Sequence, residues 1–240
     1  MYVYGVVRAG ARLRLPEEGV GGRAVALVEH DDLATLVSED VAAPVRTSRR
    51  NMLAHSGVLQ AVVAQVDVLP MRFGVVMPDA AAVRDELLAA HAEALGAELV
   101  ACAGCVELAV TVTCPQDAQL RAVLAADRSL LRRPEEHDID ARIAFGERVA
   151  QGIEALRAET ADALVSRVRR HVVDAIVDVP RHEDMLASVA LLVERARVQE
   201  VEQALGSPPA GERAVRCVGP MPPYHFVDVG LDIQEARAWA

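Results

Sequence analysis

The sequence predicts an α+β protein of two domains, in which mixed or antiparallel sheets pack against helices and at least one domain is ferredoxin-like. Its length of 240 residues exceeds the roughly 150 residues of a typical domain. Short β-branched runs alternate with helical patterns in both halves, and the first strands are joined by short connections, which is typical of antiparallel pairing. The split βαβ arrangement of the ferredoxin-like fold is the simplest template with this alternation.

The N-terminal segment predicts two strands and a short helix. Residues 2–7 and 23–29 are rich in β-branched and aromatic side chains, and a glycine-rich turn separates them. Asp31 and Asp32 are good N-cap residues, so we expect a brief helix over 31–37.

The rest of the first domain alternates further helices with strands. Apolar residues at helical spacing predict a helix over 49–66 that carries His55 on its apolar face. Residues 68–77 are apolar but contain Pro70, which cannot donate to a strand ladder, so we expect an edge strand or a bulged strand. The remaining predicted elements are a helix over 80–100, a strand around 106–112 and a helix over 115–131.

A dense charged stretch, 132–136, marks the predicted domain boundary. Pro134 suits the first position of a helix, so we divide the chain into an N-terminal domain, 1–133, and a C-terminal domain, 134–240. The C-terminal domain opens with a helical pattern over 139–176, which is long enough to favour a break near Gly146, Gly152 or Thr160. It continues with a strand over 186–193, a helix over 195–205, a loop over 207–211, a strand over 213–218 and a stiff, proline-rich aromatic segment from residue 219.

Composition excludes several classes of function. The formal net charge of −10 argues against nonspecific nucleic-acid binding and against binding to anionic membrane surfaces. All 25 basic residues are arginine, which excludes mechanisms that need a lysine nucleophile or base. No apolar stretch approaches the ~20 residues of a membrane span, and no secretory signal is recognisable. The four cysteines are too few for a disulfide framework, so we expect a cytoplasmic protein.

Cys102 and Cys105 have the C-x-x-C spacing of redox pairs and zinc sites. Redox pairs lie at a helix N-terminus, where the helix dipole favours the thiolate, whereas this pair is predicted between a helix and a strand. A zinc site needs about four ligands, and the other cysteines, Cys114 and Cys217, are singly placed. We interpret the pair as buried or turn cysteines.

The other polar motifs are interpreted as structural. The glycines of 19–22 precede a strand and lack a P-loop lysine, so they predict a hairpin connection and no phosphate site. The clusters at 30–32 and 181–184 lack the histidine spacing of metal-binding helices, and no G-x-S-x-G elbow occurs. The sequence therefore predicts no catalytic, cofactor-binding or metal-binding residue. His55 is expected to be a hydrogen-bonded core residue, and Arg72 to bind a carboxylate or a carbonyl oxygen.

Four segments match one family in their order and spacing. They are Tyr2-Val3-Tyr4-Gly5-Val6-Val7, His55-Ser56-Gly57-Val58-Leu59, the segment from Val68 to Gly74, and Gly219-Pro220-Met221-Pro222-Pro223-Tyr224-His225-Phe226-Val227. Together they resemble the gas vesicle protein F/L family over nearly the whole chain, although Met221 stands where that family usually has tryptophan. The resemblance implies a non-enzymatic accessory protein with a two-domain α+β fold, located in the gas vesicle or the cytoplasm. It also implies binding to the gas vesicle shell protein and to other accessory proteins, and the acidic composition is compatible with partners that are neither nucleic acid nor membrane.

We expect the aromatic-bearing segments 68–77 and 219–226 to form or border the surface that contacts such a partner. A shell subunit with exposed apolar surface would aggregate unless it were covered, and strand addition with aromatic anchoring could cover it. The candidate partner-binding residues are Arg72, Phe73, Tyr224 and Phe226.

Two alternatives to this hypothesis remain open. The two segments could serve only to pack the domains together, because aromatic side chains dominate cores as well as interfaces. The chain could also be a small-molecule-binding regulatory module or an enzyme on a ferredoxin-like scaffold. That second alternative predicts a polar pocket lined by His55, Arg72 and an acidic neighbour.

Overall fold

The computed structural model describes residues 1–132, 134–135, 137–206 and 213–227. Its strands are β1 (Tyr2–Arg8), β2 (Ala26–His30), β3 (Leu33–Ser38), β4 (Leu69–Pro70), β5 (Cys105–Thr113), β6 (Asp174–Asp178), β7 (Met185–Glu194) and β8 (Ala214–Met221). Its α-helices are α1 (Arg49–Val63), α2 (Ala80–Ala82), α3 (Ala92–Ala101), α4 (Gln116–Ala126), α5 (Ile139–Val168) and α6 (Val198–Leu205). A π-helical segment, Val83–Ala89, lies between α2 and α3, and 3-10 turns lie at Val20–Gly22, Arg128–Leu131 and Arg195–Arg197. The α+β class predicted from the sequence is confirmed.

Packing divides the chain into two compact units. The first unit comprises Met1–Glu107 together with the described chain from Pro220 onward, and the second comprises Leu108–Gly219. These limits differ from the predicted division after residue 133. The difference arises because α4, which precedes that position, packs along α5 and so belongs to the second unit.

The sheet of the first unit has the strand order β2-β3-β1-β4, and its neighbouring strands are antiparallel. Helix α1 packs on β1 and begins after Ser48, whose hydroxyl oxygen accepts a hydrogen bond from the N–H of Asn51 at 3.2 Å. Gly5 permits the close approach of the neighbouring segments. A Cβ at Gly5 would lie 2.6 Å from the carbonyl oxygen of Leu69 and 3.0 Å from the side chain of Leu59 on α1.

A second helical segment, formed by α2, the π-helical segment and α3, packs on β1, β2 and β3. Strand residues alternate between the two faces of a sheet, so the side chains that meet this segment are different from those that meet α1. The buried core between the sheet and this segment contains Val3, Val6, Val28, Leu33, Val37, Val83, Leu87, Leu88, Leu95 and Leu99.

The predicted helix over 31–37 is wrong, because this segment forms the turn and the second strand of a β2–β3 hairpin. Asp31 has a φ of 49°, in the left-handed region that tight hairpin turns require. Every residue of Leu33–Ser38 is buried, since β3 lies between β1 and β2. Sheet pairing therefore overrides the helix-capping signal of the two aspartates.

The sheet of the second unit has the strand order β6-β7-β5-β8. Its elements follow one another as β5-α5-β6-β7-α6-β8, which is the split βαβ topology of the ferredoxin-like fold, with α4 added between β5 and α5. Helices α5 and α6 contribute to one buried core with the strands. That core contains Leu108, Val110, Val112, Cys114, Ala161, Leu164, Val168, Leu186, Ala187, Val189, Leu191, Val193, Val201 and Leu205.

Helix α5 is continuous over 30 residues, so the expected break within it is wrong. It ends at Val168 and not at residue 176, because the β-branched residues that follow form β6 and pair with β7. Close packing with α4 occurs at Gly152, where a Cβ would lie 2.5 Å from Cγ1 of Val123. Among the helices that the structure describes, none combines the length and the apolar character needed to cross a membrane.

Candidate functional site

The segment 69–77 follows β1 as an edge strand that is interrupted by a bulge. Leu69 pairs with Val6, and further along Val76 pairs with Tyr2. Seven positions separate Leu69 from Val76 whereas four separate their partners, so three extra residues bulge out of the pairing. Backbone hydrogen bonds continue on both sides of the bulge, from Met71 N to Tyr4 O at 2.8 Å, Val3 N to Val75 O at 3.0 Å and Met77 N to Met1 O at 2.8 Å.

Two buried side chains, Tyr2 and His55, hold the bulge from inside. The N–H of Gly74 donates to the Tyr2 hydroxyl oxygen at 3.2 Å, and the Tyr2 hydroxyl donates to His55 Nδ1 at 2.8 Å. His55 Nε2 lies 3.2 Å from the carbonyl oxygen of Met71. Because a carbonyl oxygen only accepts, Nε2 carries the proton and Nδ1 is the acceptor. Both ends of the bulge are therefore bonded to the same pair of side chains.

Burial keeps this pair uncharged. It lowers the pKa of His55 to about 4 and raises the pKa of Tyr2 to about 12, since the charged forms lose their hydration in the core. The hydrogen-bond network therefore keeps its protonation pattern across the physiological pH range. The expectation that His55 is a hydrogen-bonded core residue agrees with its exposure of 5% and its two bonds.

The bulge presents two of the predicted candidate residues. Phe73 is half-buried, and its ring centroid lies 5.8 Å from that of His55 and 6.2 Å from that of Tyr2. Such separations are typical of interacting rings. Arg72 precedes it and is exposed, so its guanidinium is carried on a backbone segment that the aromatic cluster and hydrogen bonds hold in place.

The C-terminal segment carries the other two candidate residues and is bound to a buried carboxylate. Glu107 is 0% exposed, and its two oxygens accept hydrogen bonds from the backbone N–H of His225 at 2.9 Å and from His225 Nδ1 at 2.7 Å. Pro222 and Pro223 are buried. A charged carboxylate is costly to bury unless it is hydrogen-bonded, so Glu107 ties this segment firmly to the first unit.

Tyr224 and Phe226 differ in exposure. Tyr224 is 40% exposed, and partial burial together with the negative charge of Glu107 raises the pKa of its hydroxyl to about 12. Tyr224 also contributes to the raised pKa of Tyr2, so its hydroxyl lies within electrostatic range of the residue that holds the bulge. Phe226 is half-buried, and its N–H donates to the carbonyl oxygen of Pro223 at 3.2 Å.

The sequence did not point to Glu107 as a functional residue. It lies in the apolar strand β5, between Val106 and Leu108, and its partner His225 is 118 positions away. A lone carboxylate within a buried strand is the only signal available, because an unpaired charge there would be costly.

The other sequence motifs have structural surroundings. Cys102 is buried, and burial and nearby acidic groups raise the pKa of its thiol to about 11, which keeps it protonated and unreactive. The glycine-rich turn wraps the Tyr4 hydroxyl, which accepts the N–H of Val20 at 2.7 Å. Over the described ranges, no group of three or more histidine, cysteine or acidic residues could hold a metal ion.

The protein therefore has two α+β units, of which the second is ferredoxin-like. Its candidate site is a surface that the bulge and the C-terminal segment present. A family model for gas vesicle synthesis protein GvpL/GvpF matches residues 1–228. The chain therefore belongs to the GvpL/GvpF family, as the resemblance of its four segments indicates.

Similar proteins include gas vesicle protein F of a Streptomyces species, which is 33% identical over 95% of this chain and 99% of its own length. Gas vesicle protein F2 of Halobacterium salinarum is 29% identical over 99% of this chain and 96% of its own length. The crystal structure of GvpF from Anabaena sp. PCC7120 has a TM-score of 0.81 at 21% identity, and covers 95% of each chain. The GvpF structure from Microcystis aeruginosa has a TM-score of 0.79 at 19% identity, over 94% of this chain and 97% of its own. These structures share the fold.

Proposed function

We propose that this protein is a gas vesicle accessory protein that binds the hydrophobic shell protein, and other accessory proteins, during vesicle assembly. Membership of the GvpL/GvpF family supports a role related to gas vesicles. The proposed contact is the docking surface, which we define as Arg72, Phe73, Tyr224 and Phe226. The proposal places the protein in the cytoplasm during assembly and at the gas vesicle when bound to its partner.

The observation that carries the proposal is the rigid presentation of exposed Arg72 and half-exposed Tyr224. The bulge under Arg72 is bonded to Tyr2 and His55, and the segment of Tyr224 is bonded to Glu107. Arginine and tyrosine are enriched at interface hot spots, and side chains that are already ordered lose less entropy on binding.

The geometry favours aromatic anchoring over strand addition at this surface. β4 has only two residues, and the bulge interrupts its pairing with β1 soon after. A short, bulged edge is a poor template for an added strand. We therefore assign the contact to the side chains of the docking surface and not to the backbone of the edge.

The small-molecule alternative finds less support in this region. A ligand-binding role for His55 would need a free ring nitrogen, and both nitrogens are bonded within the protein, to Tyr2 and to Met71. Arg72 is exposed on the bulge and so does not share a buried polar pocket with His55.

Co-expression with the shell protein, followed by pull-down and a shell-protein solubility assay, tests the proposal. We expect Arg72→Ala and Tyr224→Ala to reduce co-purified shell protein about tenfold while circular dichroism and the unfolding midpoint stay unchanged. Phe226→Ala tests the more buried member of the surface. Arg121→Ala, on the exposed side of α4, is the matched control and should bind as the wild type.

Two results would count against the proposal. If Tyr224→Ala and Phe226→Ala lose folding without a selective loss of binding, the segment serves only for packing. If both variants fold and retain full shell-protein binding, the contact lies elsewhere on the protein.

A further inference from the structure

Helix α5 carries apolar residues beyond the core, on the same side of the helix that covers the core. In its C-terminal half this side carries Ala161, Leu164 and Val168, which are buried in the core of the second unit. Toward the N-terminus the three- and four-residue spacing is interrupted by Arg157, and apolar or small residues then resume on the same side of the helix. We call these N-terminal residues the outer row. Its members are Ile139, Ile143, Gly146, Ala150 and Ile153.

The outer row is open to solvent over most of its length. Ile139 is 67% exposed and Ile143 is 56% exposed, and Gly146 and Ala150 are also exposed. A Cβ built on Gly146 would meet no atom within 4 Å. Small residues between two large apolar ones leave a shallow depression, and another helix can approach such a surface closely.

Helix α4 does not cover the outer row, because it packs on the opposite side of α5. Its contacts are at Arg148, which donates to a carboxylate oxygen of Asp127 at 2.6 Å, and at Gly152, which meets Val123. At about 100° per residue, Arg148 and Gly152 lie about 180° and 140° around the helix from Ile139.

An acidic flank runs beside the outer row. Asp140, Glu147 and Glu154 are exposed and recur every seven residues, so they form a line along one side of the apolar residues. Glu154 also binds Arg157 at 2.7 Å, whereas the line continues toward the N-terminus through Glu147 and Asp140. A partner that covers the outer row would place its own flanking residues against these carboxylates.

A second copy of this chain does not fit the outer row. In an antiparallel pair of helices the same flank of each helix meets, so Glu147 would face its own copy and Asp140 would face Glu154 of the other chain. Like charges at such positions oppose pairing. In a parallel pair, the sheet that each α5 covers farther along the same face would occupy the same space.

From the exposure of this apolar row and from the charge of its flank, we propose that the outer row binds an amphipathic helix of a different protein, with an apolar stripe flanked by basic residues. The row supplies anchors at helical spacing, and the acidic flank selects the partner's charge. This site lies in the second unit and does not rest on the proposed function of the docking surface.

A designed peptide provides the probe. It has about 21 residues in heptads, with leucine at positions a and d and lysine at positions e and g, and a matched peptide carries glutamate in place of lysine. By fluorescence anisotropy with the full chain at low salt, we expect the lysine peptide to bind about tenfold more tightly. The preference should shrink as salt screens the charges.

Three variants connect the binding to the site. Ile139→Ala combined with Ile143→Ala should weaken binding of the lysine peptide about tenfold, and because alanine is a strong helix former the fold should be unaffected. Glu147→Lys should reduce or reverse the preference for lysine over glutamate. Glu159→Lys, at an exposed acidic residue of α5 that lies about 160° around the helix from Ile139, is the matched control and should change nothing.

The inference is overturned if the two peptides bind equally, or if Glu147→Lys leaves their ratio unchanged. It is also overturned if the wild-type chain sediments as a dimer that the Ile139→Ala, Ile143→Ala double variant dissociates, because the row would then bind a second copy. Arg72→Ala should leave peptide binding intact, so failure of the docking surface and failure of the outer row are separate results.

Discussion

The two units build sheets of the same strand order with different connections. In both, the first strand lies between the third and the fourth, and the second strand lies at an edge beyond the third. In the second unit the connection from the first strand to the second contains α4 and the long helix α5, whereas in the first unit the equivalent connection, 9–25, contains only the 3-10 turn Val20–Gly22. One sheet topology is therefore stabilised in two ways.

In the first unit, the connection between β1 and β2 has no α-helix, and a buried tyrosine holds this connection on the sheet. Tyr4 occupies the irregular position in the pairing of β1 with β3, and its hydroxyl accepts the N–H of Val20 at 2.7 Å. The hydroxyl of Ser38, 2.8 Å from that of Tyr4, donates in turn to the carbonyl oxygen of Ala24 at 2.9 Å. This chain of hydrogen bonds holds the helix-free connection on the sheet.

The difference accounts for the way the first unit holds the loops that carry the proposed docking residues. Hydrogen bonds are directional, so the bonds of Tyr2, Tyr4 and His55 fix the positions of the loops they bind. The core of the second unit is aliphatic, and its stabilisation follows buried area with little directional preference. Each unit should therefore respond to a different kind of perturbation.

The largest loss of unfolding free energy is expected from Leu164→Ala, which perturbs the aliphatic core of the second unit. Leu164 is 7% exposed and lies in the core between α5 and the second sheet. Removing its methyl groups and leaving a cavity should cost about 2–5 kcal/mol of unfolding free energy, measured by urea unfolding with circular dichroism. Ile143→Ala, an exposed residue of the same helix, is the control and should cost less than about 0.5 kcal/mol. Equal effects would show that α5 does not stabilise this core.

A smaller, pH-dependent change in unfolding free energy is expected from buried His55 in the first unit. The pKa of His55 is lowered from 6.5 to about 4, so between these values the unfolded chain binds a proton that the folded chain does not. The contribution of His55 to the free energy of unfolding is therefore complete above about pH 6.5, and it is lost as the pH falls toward about 4. The pKa difference corresponds to roughly 3 kcal/mol at most.

Comparison of the wild type with His55→Gln isolates this contribution, because the carboxylates that titrate in the same range are common to both. We expect urea unfolding to show a steeper loss of stability on acidification in the wild type than in His55→Gln. His182→Gln, which replaces an exposed histidine, should behave as the wild type. Parallel pH profiles for the wild type and His55→Gln would mean that burial of this imidazole does not set the acid sensitivity of the first unit.

The sequence predicts those features of the two units that depend on contacts between residues close together in the chain. Local signals were sufficient for α1, whose helix begins at the Ser48 cap, and for the edge position of Pro70. The helix predicted at Asp31 is wrong, because helix caps and hairpin turns use the same residue types. The end of α5 was misplaced for a related reason, since only pairing with β7 decides between helix and strand after Val168.

The candidate site was only partly predictable. The sequence identified the segments of Arg72 and Tyr224 by composition and by the family resemblance, and their role in binding stays a prediction. It did not reveal the three-residue bulge, because the register of this segment depends on pairing with β1, which is distant in the sequence. It also did not reveal that Glu107 holds His225, since this contact spans 118 positions and follows no local pattern.

The smallest effect is expected from Arg148→Ala, which tests whether polar contacts matter in the second unit as they do in the first. Arg148 donates to Asp127 at 2.6 Å and also to the Ser129 hydroxyl, and the Ser129 hydroxyl and Arg148 lower the pKa of the Asp127 carboxyl. The two charged side chains are 48% and 46% exposed, so water and salt screen their attraction. We expect the urea midpoint of Arg148→Ala to match that of the wild type at both low and high salt. A loss comparable to that of Leu164→Ala would place a polar contact among the main supports of the second unit, and the contrast between an aliphatic and a hydrogen-bonded unit would fail.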